Sequence, residues 1–243
     1  MDKIAIISDI HGNIPALTAV LNDIKLKNIK KIFCLGDIVG KGPNPDIALD
    51  IIKKNCEIIV KGNWDYFLSE NLSSKVSKWN FEKLGKERIE YLKTLPLFAE
   101  FYMSGKLIRI FHAAPTDLFY RVYSFSETLK KLKLFDPPNS NYQIADIVGY
   151  GDIHGAFIDH IDDKTIFNVG SVGNPLDMPL ASYAVLEGTL NSNILSPLSI
   201  AIVKIPYDIS KAIEDAHKEI DLPQKEKYIA ELLTAKFVEK NNI

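Results

Sequence analysis

The 243-residue chain is 47% hydrophobic and 25% charged, with a formal net charge of −2. Such proportions are those of an ordinary globular protein, and they argue against disorder and against a bulk electrostatic pull toward nucleic acid or membrane. The first apolar run, Ile4-Ala5-Ile6-Ile7, gives way to Ser8-Asp9 and is too short for a signal-peptide core or a bilayer span, so a cytoplasmic location is expected.

Residues 3–7 read as a buried parallel strand. Asn13 then caps a helix with Pro15 in its first turn and Ile14, Leu17, Val20, Leu21 and Ile24 on its apolar face. The pattern repeats with a strand at 31–35, a Gly/Pro-rich loop, a helix near 46–54 and a third strand at 57–61. Alternation of this kind implies right-handed βαβ units and a parallel layer. Cys34 and Cys56 sit in or beside these strands as small apolar residues. No CxxC pair is present, which fits a reducing compartment.

Phe81, Leu84, Arg88, Tyr91, Leu92 and Leu95 predict an amphipathic helix that Pro96 closes. A hairpin follows, Phe98–Met103 and Leu107–Phe111, turning at Ser104-Gly105. Residues 126–134 suit a short helix capped by Ser126. Strand-like runs at 144–149, 157–161, 165–169, 182–187 and 198–205 predict a second, mixed or antiparallel sheet. A helix from Ile209 to Ile220 capped by Asp208 comes next. A last helix starts at Pro223, with Tyr228, Ile229, Leu232, Leu233 and Phe237 on one side. The reading is one α/β domain with two sheet layers.

The strand ends carry metal-ligand residue types: Asp9-Ile10-His11, Gly36-Asp37, Gly62-Asn63, His112 and Asp152-Ile153-His154. Loops at the carboxyl ends of strands converge on the ligand crevice of an α/β sheet. Three of the five histidines fall there, and Asp9, Asp37 and Asn63 follow one another at about one βα repeat. His160 and His217 read as surface residues, and Ser8 and Ser171 as turn or capping residues. The glycines at 12, 36, 40, 42 and 62 permit tight turns, which is also what brings ligands together.

As a set, in this order, these residues resemble the calcineurin-like metallophosphoesterase superfamily. The run Gly36-Asp37-Ile38-Val39-Gly40-Lys41-Gly42-Pro43 is similar to its second motif. The run Asn168-Val169-Gly170-Ser171-Val172-Gly173-Asn174-Pro175 is similar to its small bacterial and archaeal branch. The resemblance covers roughly residues 1–188. It implies a two-layered β-sandwich of mixed sheets flanked by helices, in the αββα order. The single domain would span residues 1–243, with a helical insertion at about 66–96 and C-terminal helices at about 208–240.

It also implies two divalent metal ions, one on Asp9, His11, Asp37 and His154, the other on Asp37, Asn63, His112 and Asp152. Asp37 would bridge them, and Asp37, Asn63 and His112 would carry the catalysis. Mixed nitrogen and oxygen donors suit Mn, Fe, Zn or Ni. The implied reaction is hydrolysis of a small phosphodiester, phosphomonoester or nucleotide by a metal-bridging hydroxide attacking phosphorus in line.

The chain departs from the family twice. Asp152 stands where relatives usually have His. Either it ligates through oxygen and takes one unit of positive charge from the pair, or it turns away. Trp64 stands where many relatives place the proton-donating His beside a carboxylate like Asp65, and indole has no proton to give. Trp64 stacks on a base or sugar, or packs into the core. Asn13 serves as helix cap or phosphate contact. Arg121 grips the substrate or forms a surface ion pair, and Lys41 and Lys61 are further basic candidates. The departures leave a non-catalytic metal- or nucleotide-binding protein as the alternative, and a protein phosphatase as a third reading. Expected partners are a small phosphorylated substrate and, through exposed apolar residues on the C-terminal helices, a second copy of the chain.

Overall fold

The computed structural model describes residues 1–70 and 73–239. Residues 71–72, inside the expected helical insertion, and residue 240, at the expected end of the C-terminal helices, lie outside the described residues. The elements run β1 (Asp2–Ile7), α1 (Ile14–Leu26), β2 (Lys31–Cys34), α2 (Pro45–Asn55), β3 (Ile58–Ile59), α3 (Asn63–Glu70) and α4 (Lys75–Thr94). After these come β4 (Phe98–Met103), β5 (Lys106–Phe111), α5 (Thr128–Leu132), β6 (Ile147–Tyr150), β7 (Phe157–Ile161) and β8 (Lys164–Asn168). The chain ends with β9 (Ala181–Gly188), β10 (Ser199–Ile205), α6 (Ile209–Lys218) and α7 (Lys225–Thr234).

Two five-stranded sheets result, ordered β10-β9-β1-β2-β3 and β4-β5-β6-β8-β7. Side chains alternate across β1 with the period of a strand. Ile4 and Ile6 face the second sheet, where Phe33, Ile108, Ile110 and Phe167 join them. Ala5 and Ile7 face the helices, packed with Leu17, Val20, Leu49 and Ile52 of α1 and α2. Both faces of the first sheet are therefore buried, which is why β1 and β2 are continuously apolar. In the second sheet Arg109 of β5 is fully buried. It donates to Glu100 and to the carbonyls of Phe135, Asp136 and Gln143, tying the 135–143 segment to the strand that ends at His112.

The architecture is the expected two mixed sheets flanked by helices, with several corrections. β9 and β10 do not build the second sheet. β9 pairs antiparallel with the free edge of β1, Ile4 opposite Leu186, and places Ala184 and Leu186 in the layer between the sheets. The second sheet is instead opened by the β4–β5 hairpin. The third strand is only two residues long, because the Lys61 N–H turns away to the carbonyl of Pro96.

The stretch after it opens with α3, which starts three residues before the expected helical insertion at about 66–96. α4 breaks at Gly85, where φ is 70°. α5 starts after Glu127, and Ser126 accepts from the Tyr123 N–H rather than capping it. α7 begins two residues after Pro223 and ends at Thr234, with Ala235 as its cap, so Phe237 lies beyond it. Leu233 and Phe237 are exposed rather than on the buried side.

Asp208 caps α6 as expected, and α6 and α7 pack around Trp79, Ala212, Leu222 and Tyr228. Cys34 and Cys56 are free thiols, and burial pushes both upward, Cys56 to about 12. Among the described residues no helix is long and apolar enough to cross a membrane.

Candidate metal centre and active site

The parallel strands β1, β2 and β3 of one sheet and β5 and β6 of the other point their carboxyl ends at one place. Asp9 and His11 leave β1, Asp37 leaves β2, Asn63 opens α3, His112 leaves β5, and Asp152 and His154 leave β6. Five of these seven residues, Asp9, His11, Asp37, Asp152 and His154, adopt positive φ between 48° and 64°. Left-handed backbone is uncommon outside glycine and clusters where surrounding structure holds a site in place.

Gly36 supplies one of these tight turns. At φ +89° an added Cβ would lie 2.2 Å from the Gly62 nitrogen. Gly36→Ala is expected to lower stability by more than about 1 kcal/mol and to reduce cation uptake, because the turn carrying Asp37 must move. Thermal unfolding and metal titration check both, and an unchanged melting temperature would refute the tight packing.

The three histidines are oriented alike. The Nδ1–H of His11 donates to the Val39 carbonyl at 3.1 Å, and that of His112 to Leu35 at 2.9 Å. The Nδ1–H of His154 donates to the Asn174 carbonyl. With Nδ1 so engaged, each ring turns its Nε2 inward, the atom that metal-ligating histidines offer. The Nε2 of His154 lies 3.1 Å from Asp9 Oδ1 and 3.2 Å from the Nε2 of His11. Asp37 directs Oδ2 to the Nε2 of His11 at 3.7 Å and Oδ1 to the Nε2 of His112 at 3.5 Å. Two groups of close ligand atoms emerge, Asp9 with His11 and His154, and Asp9 with Asp37 and His112.

The donor set fits divalent cations. Lone pairs of carboxylates and imidazoles converge with few protons to share. Asp9 Oδ1 and His112 Nε2 are buried with no hydrogen-bond partner, a cost that a cation would remove. Without one, charge distorts the site. Burial alone would raise Asp9, but His154, His112 and His11 hold its carboxyl well below the usual range. Burial pushes Asp37 well above it. Burial would lower His112, yet the carboxylates of Asp37, Asp9 and Asp152 lift it to about 9.

That proton on His112 stabilises the metal-free fold fully below about pH 6.5, the unperturbed value, and the stabilisation is lost as pH rises through about 9. Loading a divalent ion at pH 7.5 must therefore displace it. Calorimetric titration in buffers of different ionisation enthalpy is expected to show release of about one proton or more. Proton-neutral uptake would remove His112 from the ligand set.

Asn63 and Asp152 lie beside the second group. The Asn63 Nδ2 donates to Asp152 Oδ1 at 2.7 Å, leaving the amide oxygen for a cation. Asp152 Oδ1 is 3.8 Å from His112 Nε2, and both its oxygens accept from Arg121, through Nε at 2.9 Å and Nη2 at 3.0 Å. The partner of Arg121 is thus an expected site residue. Arg121, Trp64, Asp37, Asn63, Asp152 and His154 share the lining of a cavity of about 670 Å³. Asn13 does not line it. Its Oδ1 caps α1 at Ala16 and its Nδ2 donates to the Gly173 carbonyl. Ser171 likewise serves the fold, bonding the Asp9 carbonyl and the Asn174 N–H. His160 and His217 are exposed.

Residue reasoning missed the role of Asp65. It is fully buried and accepts from the N–H groups of Gly62, Asp37, Ile38 and Val39. Such reasoning gave no role to Asn174, present only as part of the 168–175 motif, and did not single out Glu231; their partners are distant in sequence. Only the Gly-Asn-Trp-Asp run hinted at the first of these.

Comparison with known proteins agrees with this geometry. The calcineurin-like phosphoesterase superfamily domain matches residues 2–190. An uncharacterized protein of Methanocaldococcus jannaschii is 34% identical over 236 residues, covering 87% of this chain and 90% of that one. The crystal structure of a metallophosphoesterase from Sphaerobacter thermophilus superposes with a TM-score of 0.75 at 25% identity, covering 96% of this chain and 99% of its own. A hypothetical protein from Pyrococcus horikoshii shares the fold, with a TM-score of 0.79 at 22% identity over 98% of this chain and 100% of that one. With a matched domain spanning nine of the ten described strands and every candidate strand-end ligand, the chain belongs to the calcineurin-like phosphoesterase superfamily.

Proposed function

We propose that the chain is a metal-dependent phosphoesterase that hydrolyses a small phosphodiester, phosphomonoester or nucleotide. The observation that carries this reading is Asp37, a buried carboxylate that turns one oxygen to His11 and the other to His112. Asp9, His11, Asp37 and His154 would hold one divalent ion; Asp37, Asn63 and His112, with Asp152 alongside, would hold the second. Mn, Fe, Zn and Ni all suit such mixed donors. Bound cations would supply Lewis acidity toward a water molecule and toward phosphate oxygens.

The remaining groups prepare the cavity for a phosphate ester. Arg121 is pinned to Asp152 while half of its side chain stays exposed, so it presents N–H groups at the mouth. Trp64, edge-on to His11 at 6.1 Å, limits water beside the ligands, and with Trp79 and Tyr123 offers apolar surface to the organic part of a substrate. Asp9 and Asp37 accept from the N–H groups of Asp152 and Trp64, and Asp152 from Asn63 and Arg121, so little reorganisation is needed on binding.

Protein stripped by chelation is expected to leave bis-p-nitrophenyl phosphate intact, and added Mn²⁺ to restore turnover. Equal rates with and without metal would overturn the proposal. Uptake of ions with no turnover of any phosphate ester would favour a metal- or nucleotide-dependent binding protein instead.

A further inference from the structure

A phosphoesterase of this design lacks one part. The histidine that the family resemblance puts at position 64 would give a proton to the leaving group, and Trp64 cannot. The indole is wedged in place: an added Cβ on Gly40 would fall 2.4 Å from its ring. Asp65, which would accompany such a histidine, spends both oxygens on backbone N–H groups instead.

A different proton-bearing group reaches the same cavity. Lys41 rides on the loop after Asp37, at φ 54°, with its side chain only 16% exposed, and lines the cavity beside Asp37, Trp64 and His154. Its ammonium donates to Asn174 Oδ1 and, at 3.4 Å, to Glu231 Oε2. The same Asn174 receives the His154 Nδ1–H through its carbonyl, which ties the lysine to a ligand ring by a single residue. An ammonium has three N–H donors, so one remains for whatever occupies the cavity. Glu231 is 1% exposed on α7, beyond the matched domain that ends at residue 190, and accepts also from the Val238 N–H. The C-terminal helix thus delivers a buried counter-charge to an active-site loop.

We propose that Lys41 is the catalytic residue that protonates the leaving oxygen, with Glu231 as the positioning residue that holds its amine at the cavity wall. The inference rests on the phosphoesterase reading. In the step, a water oxygen bonds to phosphorus and the bond from phosphorus to the leaving oxygen breaks. The electron pair stays on that oxygen, which takes a proton from the ammonium and departs as an alcohol. The proton given up by the water returns the amine to the ammonium form, and nothing is oxidised or reduced. Burial lowers the Lys41 pKa from its ordinary value, the direction that makes an ammonium a better donor.

The test compares p-nitrophenyl, phenyl and methyl phosphodiesters on the metal-loaded enzyme, with metal content of each variant measured by elemental analysis. Lys41→Met is expected to lose roughly 10²–10⁴ in kcat on the methyl ester and less than about tenfold on the p-nitrophenyl ester. Lys41→Arg, which keeps charge but cannot release a proton at working pH, should lose the methyl ester in the same way. Glu231→Gln should move the alkaline limb of kcat for the methyl ester to lower pH.

A uniform loss across the three esters, rescue of the methyl ester by arginine, or an unmoved alkaline limb would overturn the assignment. The wild type supplies a test that needs no variant, since a steep fall in kcat from p-nitrophenyl to methyl ester would also overturn it. No turnover of any ester by the wild type would bring down the phosphoesterase reading itself, and Lys41 with it.

Discussion

Asp37→Ala is expected to cut turnover of bis-p-nitrophenyl phosphate by about 10³-fold or more, since several kcal/mol of charge stabilisation are at stake. On the proposed two-ion reading, the bound metal should fall from two ions per chain to one at most. The reason lies in how the carboxylate is shared. Its two oxygens face different histidines, His11 at 3.7 Å and His112 at 3.5 Å, so a methyl group removes a donor from both groups at once.

The loss is not a general loss of fold. Burial already raises Asp37 well above the ordinary carboxyl range, so the metal-free protein tolerates a neutral residue there. The alanine variant gives up the acceptor of the Trp64 N–H. Asp37→Asn keeps an oxygen at that position and separates the two effects: it should melt near the wild type yet fail to hold the pair. Elemental analysis and initial rates on both variants decide the matter, and a D37A protein with full metal content and full rate would refute the shared-carboxylate site.

The candidate ligands were legible in the sequence because they follow apolar runs. Ile4–Ile7 stops at Ser8-Asp9, and Phe33–Leu35 stops at Gly36-Asp37, and a strand end is one of the few places where a period-two pattern also fixes where the next residue must lie. The partnership of β9 with β1 was not legible. A hairpin of the right spacing joins either sheet equally well, and what decides is the burial of Ala184 and Leu186 with Ile108 and Ile110, segments more than 70 residues apart in the chain. Asp152 shows the same limit at the site. Its identity raised the question of ligation, but the bidentate hold of Arg121 and the amide of Asn63 come from segments 31 and 89 residues away. Lys41 was visible as a basic residue in a motif loop. Its buried counter-charge, 190 residues downstream on α7, was not.

Asp65→Ala is expected to be the most destabilising single change near the site, by about 3–5 kcal/mol. The carboxylate accepts from Gly62 and Asp37 through one oxygen, at 2.9 Å each, and from Ile38 and Val39 through the other, at 3.1 and 3.4 Å. It therefore clamps the turn after β2 to the turn after β3. Alanine would leave four buried N–H groups without an acceptor, each costing about 1–3 kcal/mol before relaxation. At this chain length the melting temperature should drop by roughly 6–20 °C.

Metal uptake should fall too, because Asp37 and Asn63 are placed by those same two turns. Asp65→Asn retains one oxygen and half of the acceptors, so its loss should be intermediate. The ordering alanine, asparagine, wild type in thermal unfolding distinguishes a clamp from a proton relay. A relay would leave stability unchanged and depress only turnover, whereas a clamp must lower melting temperature and metal affinity together, even with no substrate present.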